Sequence, residues 1–504
     1  MSGPGQQTAP GPAASSLASA AARPLRGVNP LAATLVAVGT ITAIRVVWMA
    51  ARPVGLYPDE AQYWFWAQHL AFGYYSKPPL IAWVIALTTW VLGNGELGVR
   101  AAAPLLHAGT SMLVYATAAR LYDRRTGFWS ALGYASLPGT SLSSFIISTD
   151  AVLLPCWAAA LYGLVRAREP DGGRWWVMVG IAAGFGLLAK YAMAYWLLSA
   201  FLYVLGVAAE RRHLPRLLAA TALALLIFTP NLWWNWDHGF VSFLHLRDNA
   251  HITGAMIHPA AFARFFLSQF GVFGPLFFVG LIAVAAAGLG EWRAGLLAAF
   301  SFPALILMLA VSLLSRAEPN WAAPVYVSAI VLVVAWALRR GWQRAVLASI
   351  VLNLALAVAV FGAADAAAAL GKPIPAKLDP LHRLRGWHRL GVTVSAELAA
   401  HPGLTLLADD REVLAALIYY VRPHPFDATI WSPIPGIRDQ WALTNNIANR
   451  RGADFLFVSA HDLAAEMTPQ FREVTPLGET TISPGPDGSR TYRFYIARDY
   501  RGPP

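Results

Sequence analysis

Two adjacent carboxylates, Asp59 and Glu60, stand in the segment Gly55-Leu56-Tyr57-Pro58-Asp59-Glu60-Ala61-Gln62-Tyr63-Trp64. A lysine follows in Tyr74-Tyr75-Ser76-Lys77-Pro78-Pro79-Leu80. A carboxylate there can take a proton from an attacking hydroxyl. Asp59 also fits an N-terminal cap for a helix over Ala61–His69. Lys77 and Lys190 are two of four lysines, the others being Lys372 and Lys377. A lysine at a membrane surface either neutralises a phosphate or anchors a helix by snorkelling, and both readings stay open for Lys77 and Lys190. Asp150, in Ser148-Thr149-Asp150-Ala151, is a second candidate carboxylate and equally a helix cap.

A further group lies between Trp233 and Ala261. His238, His245 and His251 do not have the i, i+4 spacing of a metal-binding helix. A metal held by Asp150 and His251 is the alternative, and no cofactor is expected to be required. Arg247 has the chemistry to bind a phosphate or a sugar carboxylate. The run Trp233-Trp234-Asn235-Trp236 suits an interfacial aromatic belt or a sugar-stacking surface. There is no Gly-rich phosphate loop, no Ser-His-Asp order and no nucleotide fingerprint. A transferase without a nucleotide fold needs a lipid-borne donor.

The composition says what positions these groups. Of 504 residues, 57% are hydrophobic and 13% charged, about half the charge of a soluble domain. Apolar runs of about 18 residues recur through residue 370, which predicts a polytopic α-helical membrane protein. The net charge of +11 is mostly arginine and suggests cytoplasmic loops and lipid headgroups rather than nucleic acid. The single cysteine, Cys156, rules out an intrachain disulfide and a Cys-based metal site. Residues 1–27 read as a disordered tail before an uncleaved signal anchor.

Predicted spans are 30–50, 98–120, 127–147, 151–167, 175–190, 191–209, 216–234, 262–288, 294–314, 322–338 and 343–364, about eleven by length. The segment 79–93 reads either as a short span or as an interfacial helix, and the positive-inside rule decides. With 79–93 in the outer interface and the N-terminus cytoplasmic, the basic loops around Arg124-Arg125, Arg166 and Arg168, Arg211-Arg212, Arg293, and Arg339-Arg340 all fall inside. Residues 51–97 then form one external loop with interface-lying helices. Asp59, Glu60, Glu96, Asp150, Asp237, Asp248 and Glu318 fall at the external face. The 234–261 loop and Arg316-Ala317-Glu318-Pro319-Asn320-Trp321 join them. Tyr63, Tyr75, Asn231, Trp234, His245, His251, Glu318, Asn320 and Trp321 are the candidate substrate contacts, and Lys77, Lys190, Tyr191 and Arg247 the candidate phosphate contacts.

Beyond a linker at Gly371-Lys372-Pro373-Ile374-Pro375, residues 368–504 read as a small extracytoplasmic α/β domain. Strands are predicted at Leu404–Ala408, Ala428–Trp431, Phe455–Val458 and Tyr492–Ala497, and helices at Leu381–Ala400 and Glu412–Val421. The membrane module spans 28–367.

The order of Pro58-Asp59-Glu60-Ala61, Tyr74-Tyr75-Ser76-Lys77-Pro78-Pro79-Leu80, Gly98-Val99-Arg100, Ser148-Thr149-Asp150, Ala189-Lys190-Tyr191, Pro230-Asn231-Leu232-Trp233-Trp234-Asn235 and Glu318-Pro319-Asn320-Trp321 resembles the bacterial GT-C glycosyltransferases. These are the family grouped with dolichyl-phosphate-mannose protein mannosyltransferases and the lipid A aminoarabinose transferase. The resemblance covers roughly residues 30–365. It implies a polyprenyl-phosphate sugar donor, an external active site and inversion at the anomeric carbon. It further implies that Asp59 is the catalytic aspartate with Glu60 its neighbour, that Lys77 contacts donor phosphate, and that Asp150 is the second acidic position. The aminoarabinose transferases carry a glutamate, implied to help hold a metal, where this chain has Ser76. That departure weighs against such a metal and against that specific acceptor.

The expectation is an inner-membrane glycosyltransferase, working as a monomer among membrane lipids. It would pass a sugar to lipid A, another glycolipid, a polysaccharide or a protein. A lipid or solute transporter is the rival reading. Transporters show paired repeats and midplane broken helices, whereas here the polar residues gather at one face without an internal repeat. A non-catalytic assembly protein is the third reading, against which the intact acidic pair counts.

Overall fold

Asn29 accepts the Leu31 backbone N–H and Pro30 presets the first turn, which starts a 22-residue helix at Pro30–Ala51. At about 1.5 Å per residue this helix spans a bilayer core of about 30 Å. The computed structural model describes residues 29–502 apart from 53, 251–256, 373, 376–378, 380, 433–435 and 486–487. The expected tail at 1–27, His251 and Lys377 lie outside the described residues.

Among the described residues seven helices are long and apolar enough to cross a membrane: Pro30–Ala51, Thr149–Ala167, Gly172–Ala189, Ala208–Asp237, Trp292–Leu314, Pro319–Arg339 and Gln343–Ala369. Pro259–Val272 and Pro275–Ala287 make an eighth if their 113° bend is read as one broken span. The bend sits at Gly274, whose φ of +87° only glycine adopts without strain, followed by Pro275. Three expected spans take other forms. Residues 98–120 become the helix Ala102–Leu121, which buries His107, Thr110, Ser111 and Thr117. Residues 127–147 break where Pro138 holds Leu137 extended, leaving Arg124–Ser136 and Pro138–Ser143. Residues 191–209 form a 14-residue helix, Met193–Gly206. Leu80–Leu92 is a 13-residue helix of about 20 Å, with Leu87, Trp90, Val91 and Leu92 exposed. Such a helix is too short to cross and suits an interface.

The C-terminal residues build a five-stranded sheet of β1 (Thr405–Ala408), β2 (Thr429–Ile430), β3 (Phe455–Ser459), β4 (Phe471–Gly485) and β5 (Gly488–Tyr500) in the order β2-β1-β3-β5-β4. β1 runs parallel to β2 and β3, while β5 is antiparallel to β3 and β4. β3 is buried along its whole length, as its unbroken apolar run requires. β4 was not expected, because its polar, proline-containing sequence lacks strand periodicity; it forms by pairing with β5 at the sheet edge. The helices Trp387–Ala400 and Arg411–Tyr420 flank the sheet.

This domain is not a remote appendage. The Arg411–Tyr420 helix packs on the Pro58–Gln68 helix of the first loop. Tyr419 meets Trp64 edge to face at 4.9 Å, and its hydroxyl donates to Asn94 O at 2.8 Å. The Tyr420 hydroxyl accepts the Leu56 N–H at 2.6 Å, and Gln440 Oε1 accepts the Tyr75 N–H at 2.8 Å.

Candidate active site

Pro58 opens the helix Pro58–Gln68, with Asp59 and Glu60 in its first turn where the helix dipole favours anions. The two carboxylates part at once. Glu60 is fully buried. Its Oε1 accepts from Arg100 Nε at 2.8 Å and Ile147 N at 2.9 Å, and its Oε2 from Arg100 Nη2 at 2.5 Å and Tyr57 N at 2.9 Å. Arg100 also donates to the Val54 and Gly55 carbonyls at 2.7 and 2.8 Å. With four donors on two oxygens, Glu60 clamps the loop to the membrane helices and offers nothing to a substrate. That corrects its expected catalytic place.

Asp59 is open. Its Oδ1 accepts from Arg411 Nη1 at 2.7 Å, and its side chain is 40% exposed. Among the described residues Oδ2 has no hydrogen-bond partner. Arg411 comes from the C-terminal domain, and its Nη1 also reaches Gln62 Oε1 at 2.6 Å. The sequence reading missed it by starting that helix one residue later. The signal was the charged run Asp409-Asp410-Arg411-Glu412 in a chain with few charges.

Lys77 follows a tight turn in which Tyr74 and Lys77 exchange backbone hydrogen bonds at 3.1 and 3.4 Å. The Tyr74 ring stacks on Trp66 at 4.6 Å, and its hydroxyl donates to the Trp66 and His69 carbonyls. Ser242 Oγ holds Tyr74 O at 2.7 Å, and Asn231 Nδ2 holds Phe72 O at 2.7 Å. Gly73 is required here: a Cβ would lie 2.3 Å from Trp234 Cε3. Trp234 stacks on His238 at 4.1 Å and lines a cavity of about 350 Å³ with Trp66, Tyr74, Phe426 and Gln440.

Asp150 is buried in the first turn of Thr149–Ala167. Lys190 Nζ donates to its Oδ1 at 2.7 Å and Asn320 Nδ2 to its Oδ2 at 2.6 Å. Burial, then Lys190, pushes the Lys77 ammonium down to about 8, while Asp59 and Asp150 pull it back and Arg411 adds to the repulsion. Among the described residues Lys77 has no ion-pair partner within 4 Å. Burial, then Lys77 and Arg411, pushes His245 down to about 4, so it is neutral at pH 7. Burial, then Asp59, raises the Tyr63 phenol. Asp59, Tyr63, Lys77, Asp150, Lys190, His245 and Arg411 therefore feel one another's charge. A cavity of about 340 Å³ opens beside Asp150 and Asn320, lined by His107, Tyr134, Ser148 and Tyr326.

Other expected contacts fall elsewhere. The Tyr191 hydroxyl donates to Asn231 Oδ1 at 3.2 Å and its ring stacks on Phe243 at 4.9 Å, so Tyr191 and Asn231 support the loop from below. Arg247 is 74% exposed and pairs with its neighbour Asp248 at 3.1 Å. Tyr75 meets the His245 ring at 5.2 Å. Glu318 pairs with Arg316 at 2.7 Å, and the half-buried Trp321 donates its backbone N–H to Glu318 O. Among the described residues no three His, Cys, Asp or Glu side chains converge on a metal position. Both Asp150 oxygens accept from protein donors, and an added cation would compete with Lys190 for them. His251, the other member of the alternative metal pair, lies outside the described residues.

The model for dolichyl-phosphate-mannose-protein mannosyltransferases matches residues 76–234. The chain is 32% identical to the lipid A galacturonosyltransferase RgtD of Rhizobium johnstonii over 409 residues, 78% of this chain and 84% of that one. An undecaprenyl phosphate-α-4-amino-4-deoxy-L-arabinose arabinosyl transferase of Pseudomonas aeruginosa is 33% identical over 190 residues, 34% of each chain. The crystal structure of ArnT from Cupriavidus metallidurans shares the fold, with a TM-score of 0.63 at 17% identity over 92% of this chain and 98% of that one.

Proposed function

The chain belongs to the bacterial GT-C glycosyltransferases, and on that premise we propose that it moves one uronosyl residue from a polyprenyl-phosphate carrier to lipid A or a related glycolipid outside the inner membrane. The observation that carries this reading is Asp59, half-open with a free oxygen, in one electrostatic cluster with Lys77 and the Asp150–Lys190 pair. The relative matched over 84% of its length, a lipid A galacturonosyltransferase, supports the sugar and acceptor classes. A cytoplasmic N-terminus and an extracytoplasmic sheet domain at 368–504, supported by the positive-inside pattern of the loops, and action as a monomer complete the reading.

In the reaction, the acceptor hydroxyl gives its proton to Asp59 Oδ2 while its oxygen attacks the anomeric carbon from the face opposite the phosphate. The new C–O bond forms as the bond to the phosphate oxygen breaks, which inverts the centre. Polyprenyl phosphate leaves with the electron pair. Lys77 meets the growing charge on that phosphate, where a buried ammonium acts more strongly than in water. Asp150 holds Lys190 beside it. The chemistry as written needs no metal.

The test is direct transfer by the purified protein in lipid vesicles, with polyprenyl-phospho-galacturonic acid as donor and lipid A as acceptor. Mass spectrometry should show lipid A gaining one hexuronic acid. Donor consumption with no sugar on lipid A, but with sugar on a protein or polysaccharide, would overturn the acceptor assignment. No turnover of any polyprenyl-phosphate sugar would overturn the whole reading.

A further inference from the structure

Arg411 is the first residue of its helix. Asp410 caps that helix by accepting from Glu412 N at 2.7 Å and Val413 N at 3.0 Å, which fixes where Arg411 departs from the backbone. Nη1 is then tied twice, to Asp59 Oδ1 at 2.7 Å and to Gln62 Oε1 at 2.6 Å. Nη2 lies 3.8 Å from Glu412 Oε1, beyond hydrogen bonding. Among the described residues neither Nη2 nor Nε has a hydrogen-bond partner. Glu412 is already committed to Arg383 Nη2, at 2.7 and 2.9 Å.

A guanidinium offers its donors in a rigid planar fork, and the Nε–Nη2 edge matches the two oxygens of a carboxylate. Here the opposite corner is anchored, so the plane is set before a ligand arrives and little side-chain freedom remains to be lost. Lys77 and Lys190 supply phosphate charge elsewhere in the cluster, and His245 is neutral. An acidic sugar entering beside Asp59 would meet like-charge repulsion unless a cation lay between the two carboxylates. Arg411 occupies that place. A neutral sugar would leave the Nε–Nη2 edge without an acceptor once the site closes.

We propose that Arg411 is the specificity-determining residue of the transfer: a cation lent by the C-terminal domain that reads the carboxylate of the transferred sugar through its Nε–Nη2 edge. This rests on the reading of the site as a polyprenyl-phosphate glycosyltransferase. It goes beyond that reading by assigning the sugar's acid group to a named side chain and giving the sheet domain a part in donor choice. The donor phosphate is the other possible source of an anion for this edge, and the experiment separates the two.

The full-length protein in vesicles is given two donors on the same polyprenyl phosphate, galacturonosyl and galactosyl, with lipid A as acceptor. Wild type, Arg411→Gln and Arg411→Lys are compared by kcat/KM on each. A bidentate charge-assisted contact corresponds to a change of roughly 10- to 100-fold. The ratio of uronosyl to hexosyl transfer should therefore fall by about that factor in Arg411→Gln, with the loss carried by KM of the uronosyl donor. Arg411→Lys should recover part of the ratio, since it keeps the charge but not the fork. Any unfolded fraction divides out, because both donors meet the same protein. An unchanged ratio overturns the proposal, whether both activities fall together, which would assign Arg411 to Asp59 or the phosphate, or neither falls. Wild type transferring neither donor overturns the parent reading and this one with it.

Discussion

Lys77 gives the sharpest handle on the donor site, because its charge is set to change within the working pH range. Its ammonium is held down to about 8 by burial and by Lys190. Lysine ordinarily titrates about two units higher. The sign follows from which form binds. Only the ammonium attracts a phosphate, so donor affinity is highest below about 8 and falls as pH rises through it. With that midpoint, about nine-tenths of the molecules carry the charge at pH 7 and about one-tenth at pH 9. If the neutral amine contributes no binding, KM for the donor rises about tenfold between those two values, equivalent to about 1.4 kcal/mol. Arginine does not titrate in this range, so Lys77→Arg should flatten the profile even if its affinity differs at every pH. The assay is donor KM at fixed, saturating acceptor from pH 6.5 to 9.5 in vesicles. A flat wild-type profile, or an equal rise in Lys77→Arg, would refute the placement of the donor phosphate on Lys77.

Two further predictions concern the support beneath the site. Removing one partner of the buried Glu60–Arg100 pair, as in Glu60→Gln or Arg100→Met, leaves the other without compensation and should cost about 3–5 kcal/mol. Thermal unfolding of the solubilised protein would show it, and an unchanged midpoint would mean that Glu60 is not the clamp described. Gly73→Ala forces a Cβ to within 2.3 Å of Trp234, so the Tyr74–Lys77 turn must shift. Transfer should drop at least tenfold, because the strain falls on the buried turn that carries Lys77. Wild-type activity in that variant would detach Trp234 and its loop contact from the site.

The membrane character, the first loop and the clustering of Asp59 and Lys77 in it were legible because each is local: apolar runs, a charge cluster and a Lys-Pro-Pro step. What the sequence hid was long-range. Asp59 and Glu60 look equivalent as neighbours, and only the fold shows that Glu60 meets an arginine 40 positions later while Asp59 meets one 352 positions later. Tyr191 and Asn231 read as ligand contacts since both are polar and near the external face. Their mutual hydrogen bond joins the turn before the Met193–Gly206 helix to the helix that carries Asn231 and has no sequence signature. The breaks at Pro138 and Gly274 were visible as residues. Their effect on the expected spans depended on neighbours that buried the polar helices instead of exposing them to lipid. In the sheet domain the buried strands β1 and β3 announced themselves by apolar runs, while edge strand β4 did not.

The central claim is that Asp59 takes the acceptor's proton, and Asp59→Asn tests it most directly. The amide keeps the shape and an oxygen for Arg411 but cannot serve as the base. The measurement is single-turnover transfer with donor preloaded on the vesicle-bound protein, alongside donor affinity measured separately. Removing a general base should slow the transfer step by about 10²- to 10⁴-fold, with donor affinity within a few-fold of wild type. A transfer rate within threefold of wild type would contradict the account.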